Sequence, residues 1–122
     1  MSAPADPQRH EWHRRFAAEC FNRTWEYLEQ PTRTPEQTRA MIAAALASRH
    51  HWQEVGEPLN FAIGDWQIAR VLTVGGYPEV ALDFGTASLE TCRAHALPPF
   101  YAAYAHEALA RAHAFLRRDA ER

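Results

Sequence analysis

The sequence predicts an all-α protein of about five antiparallel helices, and three observations carry that expectation. Apolar residues recur at spacings of three and four along every long segment, the period of a helix with one buried face. Proline and glycine interrupt the pattern at Pro31, at Gly56 to Pro58, at Gly75 to Pro78 and at Leu97 to Pro99. No stretch alternates apolar and polar residues over the length of a strand, and no Asn-Gly hairpin signal occurs. Connections of roughly three to seven residues between helices imply antiparallel neighbours.

Residues 1–8, with Pro4 and Pro7, read as a flexible N-terminal leader, and residues 9–122 as one helical domain. The first helix is expected from His10 to about Glu29. Trp12, Phe16, Glu19 and Arg23 lie at helical spacings there, and Phe21, Trp25 and Leu28 widen the apolar stripe. Thr34-Pro35-Glu36-Gln37 is the clearest helix start. A threonine can cap an orphan amide, a proline fits the first helical position, and Gln37 can reach back to the amide of the cap. That second helix should run through Met41, Ala45 and Arg49 to about Glu54, with Gly56 as its stop. Pro58 opens a third helix to about Val74. Gly75-Gly76 ends it, and Pro78 opens a fourth to about His95. A fifth, alanine-rich helix should span about Phe100 to Arg118.

The length of 122 residues suits one core, and a hydrophobic fraction of 47% is too high for a disordered chain. With 13 basic and 15 acidic residues the formal net charge is -2, without the clustered cationic excess of a nucleic-acid-binding surface. Every fixed side-chain cation is an arginine, because the chain contains no lysine. The longest apolar run, Ala40 to Ala47, is far below the ~18 residues of a membrane span. Cys20 and Cys92 stand alone, which argues against a disulfide framework or a thiolate metal site. The expected compartment is a reducing cytoplasm.

Ile68-Ala69-Arg70-Val71 recurs 41 residues later as Leu109-Ala110-Arg111-Ala112, a distance that one helix pair with its linkers would fill. Around it, Gly75 and Tyr77 occupy the turn, and Val80, Phe84 and Ala87 follow on the next helix. In this order of large, small, glycine and aromatic residues, residues 58–118 resemble a tetratricopeptide repeat. Val80 stands where that family has alanine, and 41 residues exceeds its repeat length. The resemblance implies a right-handed helix-turn-helix array that binds a protein or peptide partner, or a second copy of itself, in a groove lined by its first, third and fifth helices. The alternative is a closed up-down bundle. The fifth helix would lack its partner in the array, leaving an apolar stripe upstream of Arg117-Arg118.

The residues expected to line such a groove are Glu19, Asn22, Trp25, His51, Trp52, Asp65, Trp66, His106 and Glu107. Polar residues interleaved with tryptophan suit peptide contact; the competing expectation is interhelix packing with each indole nitrogen satisfied. Asp65 is either an anchor for a ligand or a carboxylate paired to Arg70, Arg111 or His106. Seven histidines raise a second possibility, a helical bundle holding a metal or small ligand through His50, His51, Asp65, His106 and Glu107. No His-Glu-x-x-His string, phosphate loop or nucleophile motif supports it, so no catalytic residue, metal or cofactor is assigned.

Overall fold

The computed structural model describes residues 6–121 and contains five helices: α1 (Pro7–Glu29), α2 (Pro35–Val55), α3 (Pro58–Val74), α4 (Pro78–Ala94) and α5 (Pro99–Ala120). Among the described residues there is no strand. All five helices begin on a proline, whose missing amide would have no partner in the first turn anyway. Thr34 and Gln37 form the expected capping box, with Gln37 N–H to Thr34 Oγ1 at 3.1 Å and Thr34 N–H to Gln37 Oε1 at 2.9 Å. The start of α1 corrects the expected leader. Asp6 Oδ1 accepts from the amides of Gln8 and Arg9 at 3.0 and 3.3 Å, so Pro7 and Gln8 already belong to the helix. The remainder of the expected leader, residues 1–5, lies outside the described residues.

The Gly75-Gly76 stop works through a left-handed residue. Gly76 has φ 95°, Tyr77 N–H reaches back to Leu72 O at 2.7 Å, and Gly76 N–H reaches Thr73 O at 3.2 Å. This closure satisfies carbonyls at the helix end. The end of α4 closes in the same way, with Leu97 N–H on Cys92 O at 3.0 Å and Ala96 at φ 47° in the glycine position.

Each helix packs on the next in sequence, and α3 also packs on α5. The core consists of Met41 and Ala45 from α2, Ile68, Ala69, Val71 and Leu72 from α3, Ala81 from α4, and Ala108 and Ala112 from α5. Small residues set the helix separations. A Cβ added to Gly85 would lie 2.8 Å from Leu109 Cδ2, so α4 and α5 approach through that glycine.

Two helix pairs repeat, in a register that differs from the sequence match. On α2 the buried residues are Met41, Ala45 and Ser48; on α4, Ala81, Gly85 and Ser88 are buried 40 residues further on. Ser48 Oγ donates to Ala17 O and Ser88 Oγ donates to Ala62 O, each at 2.8 Å and each from the second helix of a pair to the first. The first pair is the longer, since α2 starts a turn further before its serine and the α1–α2 connection has two more residues. The expected 41-residue recurrence carries burial only in part: Val71 and Ala112 are both buried. Ala69 is buried whereas Ala110 is exposed, and the buried face of α5 is Ala105, Ala108 and Ala112.

Candidate functional site

The most distinctive surface is an aromatic series that crosses α1, α3 and α5. Phe21 and Trp25 contact each other on α1 with ring centroids 6.3 Å apart. Trp25 reaches Trp66 on α3 at 5.6 Å, and Trp66 reaches Tyr104 on α5 at 5.3 Å. Phe100 and Tyr101 extend the series, at 6.1 and 6.5 Å from Tyr104. The series is well packed along its middle and open at its end, where Phe100 is 52% and Tyr104 46% exposed. Rings at these separations are arranged as mutually favourable aromatic pairs.

Helix phase explains how these rings meet. Trp66 and Arg70 lie one turn apart on α3, with the Arg70 guanidinium carbon 5.9 Å from the Trp66 ring centroid. Gln67, next to Trp66, is fully buried and donates from Nε2 to Phe21 O at 3.1 Å, tying α3 to the middle of α1. Three polar atoms beneath this surface have no hydrogen-bonding partner: Trp66 Nε1, Gln67 Oε1 and Arg70 Nε. The expectation of a satisfied indole nitrogen therefore fails at Trp66. A buried donor without an acceptor costs about 1–3 kcal/mol.

Of the nine residues expected to line a groove, only Trp25 and Trp66 meet. Glu19 and Asn22 are exposed along a shallow depression made by α1 alone. His51 faces α1, its Nδ1 2.9 Å from that of His13 and its ring 5.5 Å from Phe16. Burial lowers the His51 pKa, and the neighbouring His13 and His50 add to the effect against an opposing Glu54. Trp52 is half-buried at the end of α2, where its carbonyl accepts from Gly56 N–H. His106 and Glu107 are exposed on α5, and Glu107 pairs with Arg111 on the same helix at 3.0 Å.

Asp65 pairs with none of the partners expected for it. It is buried against α2, with Oδ1 3.0 Å from Arg49 Nε, and Arg49 also lies over the Phe61 ring at 4.7 Å and donates to Gln53. Burial raises the Asp65 pKa more than Arg49 lowers it. The pair serves to dock α2 on α3. His50 and His51 lie together on α2, Asp65 is turned to Arg49, and His106 and Glu107 lie on α5, so the five do not converge on one site. Among the described residues no group of three or more His, Cys, Asp or Glu side chains is placed to hold a metal ion. Burial raises the pKa of both cysteine thiols, which suits small packing residues rather than nucleophiles.

Sequence reasoning missed Phe21, Phe100 and Tyr104 as members of the surface. The signal for them was available: Phe100, Tyr101 and Tyr104 cluster within one and a half turns of an otherwise alanine-rich helix. No family model matches the chain, and neither the curated proteins nor the solved structures contain a significant match to it. Among the described residues, no helix is long and apolar enough to cross a membrane.

Proposed function

We propose that this protein is a tetratricopeptide-like scaffold that holds a segment of another protein on the face formed by α1, α3 and α5. The observation that carries the reading is the aromatic series Trp25–Trp66–Tyr104, which crosses all three helices and opens to solvent at Tyr104 and Phe100. Tryptophan and tyrosine on a rigid helical face offer large contact area at little entropic cost, and such residues dominate the energetics of recognition. The paired Ser48 and Ser88 bonds, each from the second helix of a pair to the first, support a reading as successive helix pairs. The occupant that suits this face has apolar side chains for the rings.

Selection from a displayed peptide library, followed by NMR mapping of the selected sequences, tests the reading. Binders should move the indole signals of Trp25 and Trp66, and Trp66→Leu should weaken them by about tenfold or more. Binders that map to α2 and α4, or a failure to select any, would overturn it. Movement of the same indole signals with protein concentration alone, alongside a dimer in sedimentation, would identify the occupant as a second copy of the chain.

A further inference from the structure

Beyond the aromatic series, the C-terminal halves of α3 and α5 enclose a cleft of about 120 Å³, far more than the ~10–15 Å³ that admits a single water. Three arginines line it: Arg70 from α3, and Arg111 and Arg118 from α5. The carboxylate beside them is Glu107, which is held by Arg111 Nε at 3.0 Å. Three cations against one anion leave the cleft with a local charge of about +2, and a concave wall concentrates that field. The Arg118 guanidinium carbon lies 5.4 Å from the Phe115 ring centroid, on the cleft wall.

Arg70 is the residue that sets this cleft apart from ordinary surface charge. It is half-buried, its Nε–H is inaccessible to solvent, and that group has no hydrogen-bond acceptor. Among the described residues Arg70 forms no salt bridge, whereas Arg49 and Arg111 each have a carboxylate. Burial, and then the proximity of Arg111, lower its pKa against the opposing Glu107. An oxyanion in the cleft would meet this guanidinium through its terminal Nη groups and would offset the mutual repulsion of the arginines.

We propose that the α3–α5 cleft is a binding site for a phosphate-class dianion, with Arg70 as the primary ligand and Arg111 and Arg118 closing over it. The dianion matches the local charge, and its several oxygens match several forked donors in a way a single carboxylate does not. The site does not depend on the aromatic face being a docking surface.

Titration of the full chain with inorganic phosphate at constant ionic strength, read on the arginine Nε–H signals by NMR, tests the site. The Arg70 signal should move saturably, while Arg14 and Arg15 on exposed α1 should show no more than a linear drift. Acetate should bind about tenfold more weakly, because it offers one charge and two oxygens. Arg118→Gln should weaken phosphate about threefold or more, and Glu107→Gln should strengthen it by removing the competing carboxylate. Both variants change exposed side chains and leave the core intact. An unresponsive Arg70, acetate as tight as phosphate, or phosphate binding indifferent to both substitutions would each overturn the proposal.

Discussion

Helices α1 and α3 occupy equivalent places in the two pairs, yet they are held by different forces. In α3, nine of 17 residues are buried, from Ala62 to Thr73, and its apolar side chains meet α2, α4 and α5. In α1 only Ala17 and Thr24 of 23 residues are buried. α1 adds Tyr27 and Leu28 to the edge of the core and Trp25 to Trp66, and two directed polar contacts fix it further: Ser48 Oγ on Ala17 O and Gln67 Nε2 on Phe21 O. Hydrophobic burial scales with area and is shared over the whole core. A hydrogen bond is local, and its loss is felt mainly at the element that it ties down. The comparison makes α3 the source of global stability and α1 a unit able to open alone.

The largest effect expected from that difference comes from Ile68→Ala. Ile68 is 1% exposed at the centre of the core, and its truncation should cost about 3 kcal/mol. Denaturant unfolding should report the loss, and hydrogen exchange should quicken in all five helices together. Exchange that quickens in α3 alone would break the comparison. Ser48→Ala comes next, at about 1 kcal/mol, because it removes the buried hydrogen bond from α2 to the Ala17 carbonyl of α1. Its effect should concentrate in the amides of α1, whereas the equivalent Ser88→Ala should disturb the core around α3 and α4. Equal patterns for the two variants would show that α1 is no separate unit.

The smallest effect is a pH dependence at the α1–α2 contact. The His51 pKa is lowered in the folded protein, so between that value and the ordinary one near 6.5 the unfolded chain binds more protons. Stability should therefore fall as pH drops below about 6.5. Nor can the 2.9 Å contact between the Nδ1 atoms of His13 and His51 persist as a hydrogen bond once both rings are protonated. Melting curves at pH 7.5 and 5.5 should differ less for His51→Gln than for the parent chain. An unchanged difference would remove His51 as the cause.

The fold was legible wherever the signal was local. Prolines at the helix starts, the Thr34 box and the Gly76 turn act within a few residues, and the helix boundaries fall where those residues put them. Asp6-Pro7 is a start of the same kind as Thr34-Pro35; reading it as part of a leader overlooked the cap. The partner of Asp65 was not legible, for a physical reason. Buried residues surround α3 on nearly every side, so apolar spacing gives no single direction from which to infer where Asp65 points. It faces Arg49, 16 residues earlier, and not α5. The candidate site was legible only in part. Trp25 and Trp66 were expected to share a groove, but Tyr104, which joins them, lies beside the buried alanine face of α5 and was not assigned to the groove.

The prolines at the five helix starts carry a further consequence. Because each rod has its own beginning written beside it, residues inserted between two rods would displace a rod as a body without rotating its inward side outward. Such a chain can drift in loop length, as the α1–α2 and α3–α4 connections already do, while its interior stays in phase. A copied α3–α4 segment, spliced in with its own proline starts, should therefore lengthen the stack and leave the existing rods unchanged.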